Sequence, residues 1–320
     1  MRNTCSLSIL ATILACTCLI SPANAAARDR VFVASYGSDS NPCTFGSPCK
    51  TFQQAINIVA AGGEVTAIDS AGFGPISITQ SVTITSPTGV EAGIVAAPGS
   101  TAISIAAGST GAVVLRGLTL EGAGTAANGI SVSSAARLEI VDCAVHNFTN
   151  YGISVESSNA MTILISKTVI ADDDSAGPSF PGIFLDSVTG SIAAALDSIT
   201  VTNNDIGVFA FNGGAPIDVL ISNSHIDNNV STGILVGGSG PGAVSQVVLK
   251  NVTVSETPTA ILLDADSVVW LSQVTQTTAP GFTSVGVALA GGATGIAHSD
   301  GTNHFMGGVS GGSLQSWTTE

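Results

Sequence analysis

Asn128-Gly129-Ile130, Tyr151-Gly152-Ile153, Pro181-Gly182-Ile183, Ile206-Gly207-Val208, Thr232-Gly233-Ile234 and Thr259-Ala260-Ile261 are copies of one phrase that recurs between Ala112 and Val274. The steps between their middle residues are 23, 30, 25, 26 and 27. A period of this length marks a stacked repeat, in which each unit buries its apolar face only against its neighbours.

Anchoring the copies on that phrase aligns the residues before it into three columns. The first holds Leu115, Ile140, Ile165, Leu196, Ile221 and Leu249, and the second Leu118, Cys143, Thr168, Ile199, Ser224 and Val252. The third holds Leu120, Val145, Ile170, Val201, Ile226 and Val254. After the phrase, Ile130 and Val132, Ile153 and Val155, and Ile183 and Leu185 alternate with polar or small residues at the period of a half-buried strand. Val, Ile and Thr fill these positions while Lys, Glu and Arg are scarce, which favours strand over helix. Each unit then contributes two or three short strands, and stacking in register gives an all-β, single-stranded parallel β-helix, a solenoid with like side chains about 4.8 Å apart. Gly122, Asn147, Asp172, Asn203, Asn228 and Glu256 form a turn column in which Asn suits left-handed backbone and bonds neighbouring main chain.

The ends read differently. Arg2, the apolar stretch Leu7 to Ile20 and Ala23-Asn24-Ala25 have the form of an export signal over residues 1–25; Ile13-Leu14-Ala15-Cys16 loosely resembles a lipoprotein site as an alternative. No later stretch is long and apolar enough to be expected to span a membrane. The net charge is −14, and losing the leader removes Arg2. Such a surface argues against nucleic acid or anionic lipid as partner. Cys43 and Cys49, with Gly and Pro between them, are expected to form a local disulfide in an exported chain. Cys143 lies in an inward column and is expected to be a small buried hydrophobe. Phe52, Ala55, Ile56 and Val59 follow helical spacing within 51–60, with Gly62-Gly63 as the stop, and predict an amphipathic helix capping the N-terminal end.

Val31-Phe32-Val33-Ala34-Ser35-Tyr36-Gly37-Ser38-Asp39, Asn41-Pro42-Cys43 and Pro48-Cys49-Lys50-Thr51-Phe52-Gln53 together resemble the entry to bacterial right-handed β-helix proteins of the pectin-lyase-like superfamily. That resemblance implies a right-handed solenoid. It carries little function, since the superfamily includes lyases, hydrolases, esterases and adhesins. The expected organisation is a leader over 1–25, an N-terminal segment over 26–63, about nine coils over 64–290, and a C-terminal cap or tail over 291–320.

Chemistry is expected in three places. The span from Ile170 to Ile183 is longer than its counterparts and carries Asp172-Asp173-Asp174, an acidic loop whose carboxylates could ligate Ca²⁺. Lys167 aligns with Asp142 one coil earlier, as a surface ion pair or, with the acidic loop, as the base of a β-elimination. His225 and Asp227 share an outward face and could do acid–base work. Phe209 and Phe211 flank inward Ala210 and could form a glycan-contact surface. The resemblance to pectate lyases implies an Arg or Lys base with clustered Asp ligands, yet no Arg follows Arg137. Of the motifs that polygalacturonases carry, only Asp172-Asp173 has a match. The leading expectation is an exported scaffold, secreted, periplasmic or at the cell surface, contacting a polysaccharide or a surface protein without catalysis. The alternative is a polysaccharide lyase or glycoside hydrolase acting on an acidic polysaccharide through residues 167–174.

Overall fold

The structure, a computed structural model, describes residues 28–173, 180–239, 244–264, 266–278, 284–290 and 295–316. The expected leader and Asp174 lie outside the described residues. From Asn128–Ser134 to Ser267–Thr277, neighbouring strands pair in parallel, each with the equivalent strand one coil away. The solenoid makes about eight turns rather than nine, because coils such as Gly152 to Gly182 take 30 residues where a uniform period of about 25 was expected.

Two sheets form the walls. A ten-stranded sheet contains the strands that carry the recurring phrase, and a nineteen-stranded sheet contains the two strands that precede it in each coil. The three apolar columns face inward: Leu115, Leu118 and Leu120 are at most 1% exposed, as are Leu249, Val252 and Val254. A spacing of three between the first two columns breaks the strand alternation, so one extra residue must turn the chain between them. Gly117, Asp142, Lys167, Ser198, Asn223, Asn251 and Gln273 take that position, with φ between +50° and +67°. The left-handed residue lets both flanking strands keep their apolar sides inward.

The other corner, leading into the ten-stranded sheet, is held by a ladder of buried polar side chains. Phe148 N–H donates to Asp173 Oδ1 (2.9 Å), Asp173 N–H to Asn204 Oδ1 (3.2 Å), Asn204 N–H to Asn229 Oδ1 (3.1 Å) and Asn229 N–H to Thr257 Oγ1 (3.3 Å). These amides would otherwise be buried without partners. An outer ladder runs beside it, with Asn203 Nδ2 donating to Asp172 Oδ1 (2.8 Å) and Asn228 Nδ2 to Asn203 Oδ1 (2.5 Å). Ala123, rather than the expected Gly122, takes the left-handed turn position in the first of these coils.

Near the N-terminus, Cys43 and Cys49 form the disulfide. Their loop clamps the first strand, Arg28–Val33, through Phe32 N–H to Cys43 O and Cys49 N–H to Phe32 O, both 2.9 Å. The helix is Phe52–Ile58, started by Thr51, whose Oγ1 accepts from Gln54 N–H at 3.2 Å. It is shorter than expected: Val59–Ala67 is already strand and runs through Gly62-Gly63. Phe52 is buried against Phe73, ring centroids 4.9 Å apart. Beyond residue 290 the described segment continues the winding, with Val268 pairing with Ile296 and Val287 with Val309.

Asn204→Ala removes one acceptor from the inner ladder and leaves buried amide groups unpaired, so it is expected to destabilise the protein by about 2–4 kcal/mol. Urea unfolding against wild type measures this, and a loss under about 0.5 kcal/mol would contradict the ladder's role.

Candidate functional site

The residues singled out for chemistry do not converge. Lys167 occupies the left-handed bend, and among the described residues no ion pair joins it to Asp142. Asp197, in the next coil, is held below the usual carboxylate range by hydrogen bonds from Ser222 and Asn223, with Lys167 adding a smaller attraction. Asp172 lies five residues beyond Lys167, at the far end of the strand Val169–Ala171 and so roughly 15 Å along the chain.

Asp172 and Asp173 also point different ways. Asp172 accepts from Asn203 on the outside, whereas Asp173 is 0% exposed and built into the inner ladder. Two adjacent carboxylates on opposite sides of a corner cannot share one cation, which removes these two from the expected Ca²⁺ ligand set; Asp174 lies outside the described residues. Asp173 Oδ2 is buried without a hydrogen-bond partner among the described residues. Burial, with smaller repulsion from Asp172 and Glu121, pushes Asp173 up to about 8 against the Phe148 hydrogen bond. Its expected loop placement fails because it takes the position that Asn204 and Asn229 hold in later coils. His225 is exposed between Thr200 and Thr253, while Asp227 accepts from Ser255 Oγ in the next coil. No hydrogen bond joins His225 to Asp227 among the described residues.

Phe209 and Phe211 belong to a larger patch on the outer surface of the ten-stranded sheet. Ser154, Phe184, Phe209 and Leu235 are register partners on successive strands. Phe184 lies 5.3 Å from Phe209, and Phe209 lies 5.5 Å from Phe211. Tyr151 stacks on Phe184 at 5.5 Å and 15°, with Phe180 edge-on to it at 5.3 Å. All five rings are half-buried.

Two carboxylates flank these rings. Glu156, Asp186, Phe211 and Gly237 form the next outward column, so Glu156 and Asp186 stand on adjacent strands. Glu156 is exposed and accepts from Ser154 Oγ at 3.1 Å. Asp186 is half-buried, and its Oδ1 has no hydrogen-bond partner of good geometry among the described residues. Desolvation, followed by the Glu156 charge, raises its pKa, and the Gly213 amide opposes them. Tyr151 is raised by the same two causes. Gly237 sits close against its neighbours, since a Cβ there would crowd Asp264 Cβ at 3.3 Å and lie 3.8 Å from Phe209 Cε2.

A family model for the right-handed β-helix region matches residues 66–294. The chain belongs to the right-handed β-helix family. Among solved structures this β-helix is similar to pectate lyase Pel9A, with a TM-score of 0.60 at 13% identity over 92% of this chain and 81% of that one. It is also similar to a rhamnogalacturonan lyase, with a TM-score of 0.59 at 13% identity over 91% and 85% of the two chains. At that identity the likeness establishes the shared fold. No curated protein sequence matches the chain.

Glu156, Asp186, Phe180 and Phe184 are the members of this β-helix face that reading the sequence missed. The signal was available: the outward residues of the recurring strands, tabulated as the inward ones were, give Ser154, Phe184, Phe209 and Glu156, Asp186, Phe211 directly.

Two expectations test the placements at the corners. A left-handed Lys is strained where Asn is tolerated, so Lys167→Asn should raise stability by up to about 1 kcal/mol in urea unfolding; a marked loss would contradict the bend assignment. Asp173 has a folded pKa raised far above its ordinary 3.8. Its contribution is intact below about pH 4 and is lost as pH rises towards 8, because only the unfolded chain releases the proton across that window. Asp173→Asn should therefore gain on the order of a few kcal/mol relative to wild type between pH 5 and pH 9. Parallel unfolding curves at the two pH values measure it, and an unchanged difference would contradict the buried carboxyl.

Proposed function

We propose that this protein binds an extended polysaccharide along the outer face of its ten-stranded sheet and cleaves it at Glu156 and Asp186. The observation that supports this most is a row of stacked aromatic rings ending against two carboxylates on neighbouring strands, one of them with a raised pKa. Aromatic faces pack on the C–H faces of sugars as they do on other apolar surfaces. Paired carboxyls with unlike environments divide acid and base roles. The structural neighbours, a pectate lyase and a rhamnogalacturonan lyase, are named for polysaccharide substrates and favour a polymer over a small molecule.

In this reading Asp186 is the general acid. It passes its proton to the glycosidic oxygen as the bond from that oxygen to the anomeric carbon breaks. Glu156, oriented by Ser154, takes up the anomeric carbon. Water then releases the sugar from Glu156, its hydroxyl going to carbon and its proton back to Asp186, so one water is consumed per bond. Strand spacing of about 4.8 Å is near the ~5–5.5 Å carboxyl separation of retaining glycosidases, which favours this two-step route.

Export fits the same reading. The leader-like residues 1–25 and the Cys43–Cys49 disulfide favour an oxidising space outside the cytoplasm, where structural polysaccharides are met. No helix among the described residues is long and apolar enough to cross a membrane. The helix Phe52–Ile58, packed on the first coils, serves as the N-terminal lid.

Reducing-end release from a panel of soluble polysaccharides tests the proposal. Asp186→Asn should lower kcat at least 100-fold with binding retained, and Phe209→Ala should weaken binding about five-fold, roughly 1 kcal/mol. Binding that is sensitive to Phe209→Ala but yields no turnover on any polymer would return the face to a non-catalytic scaffold.

A further inference from the structure

We infer that the polymer taken by this face is uncharged, so that the protein differs in substrate class from the lyases whose fold it shares; this deepens the function proposed above and rests on it. The inference comes from where charge is placed. The ten strands of this sheet contain no Lys, Arg or His, and their only charged residues are Glu156 and Asp186. The cations among the described residues are elsewhere. Arg28 and Arg30 are on the first strand, and Lys50 reaches Ser35 O. Arg116, Arg137 and Lys250 are on the nineteen-stranded sheet, and Lys167 is at its bend.

A polyuronate brings one carboxylate per sugar. Laid along the rings, it would set those charges beside Glu156 and Asp186 with no guanidinium or ammonium to offset them, on a chain whose net charge is −14. Like charges held a few ångströms apart repel, and more strongly beside a protein surface than in bulk water. A bridging cation is the usual remedy, but the donor set does not suit one. Ca²⁺ takes six to eight oxygens, and among the described residues no group of three or more His, Cys, Asp or Glu side chains could hold a metal ion. Asp264 is separated from the pair by the strands bearing Phe211 and Gly237.

Everything else on the face suits a neutral sugar. Tyr151, Phe184, Phe209 and Phe211 offer half-buried aromatic surface. The aromatic row crosses successive strands, so the polymer lies along the solenoid axis and advances by about one sugar per coil.

Affinity electrophoresis of the full-length protein through gels containing xylan, mixed-linkage β-glucan or galactomannan, against polygalacturonate or alginate, each with Ca²⁺ or with EDTA, tests the inference. Retardation is expected with at least one uncharged polymer and with neither uronate, and Phe184→Ala should reduce it several-fold. The double variant Glu156→Gln, Asp186→Asn should gain at least five-fold in affinity for polygalacturonate at low salt, and high salt should abolish the gain. Wild-type retardation by either uronate, with or without Ca²⁺, would overturn the uncharged-substrate inference while leaving a polysaccharide function standing. Amidation without effect on uronate binding would overturn it as well. Retardation by no polymer of either class would remove the polysaccharide reading itself, and this inference with it.

Discussion

Equivalent residues in this fold must sit directly above one another at the spacing of parallel strands. A solenoid coil closes on itself, so its corners carry backbone amides into the interior, where water cannot reach them. Only the next coil is close enough to provide acceptors. Thr168 and Ser224 do this at the bend, accepting from Cys143 and Ile199 N–H at 3.4 and 3.2 Å. Asp173, Asn204 and Asn229 do it at the other corner. The polar residues inside an otherwise apolar tube are therefore those that each neighbouring coil requires.

Stacking acts on the outside surface too. A residue placed outward on one strand meets its register partners on the strands above and below, so side chains scattered over the sequence become a continuous row. Rings at 151, 184 and 209 touch although more than 20 residues separate each from the next. Glu156 and Asp186 are 30 residues apart in sequence and become neighbours through pairing alone. Asp186 is half-buried there, and both burial and the neighbouring Glu156 charge raise its pKa.

The inward half of this arrangement was legible in the sequence because burial imposes a uniform chemical type. Leu115 with Ile140 and Ile165, or Leu120 with Val145 and Ile170, could be aligned by apolarity alone. Outward columns have no such uniformity. Ser154, Phe184, Phe209 and Leu235 share only a register, which must be carried over from the inward residues beside them. Lys167 and Asp172 misled for a related reason: their side chains suggested chemistry, while their positions were those of residues chosen for left-handed backbone, with φ of +50° and +60°. Asp173 misled because runs of Asp usually lie in solvent. Its column, shared with Asn204 and Asn229, points inward and was recognisable only after the corner had been placed within the coil.

Asp173 and Asp186 show why a raised carboxyl pKa does not by itself mark an active site. Both are shifted chiefly by desolvation, and both have an oxygen without a good hydrogen-bond partner among the described residues. For Asp173 the surroundings are closed. Its free oxygen faces Gly152, where a built Cβ would come within 2.4 Å, so no substrate atom can approach. When protonated, it imitates the amide that Asn204 and Asn229 supply in later coils, and the shift records the strain of an acid in an amide's place. Asp186 has its Oδ1 enclosed but is half-buried as a residue, beside an exposed carboxylate and a row of rings. Partial exposure is what the proposed role of general acid requires, and it separates the second shift from the first, which belongs to folding alone.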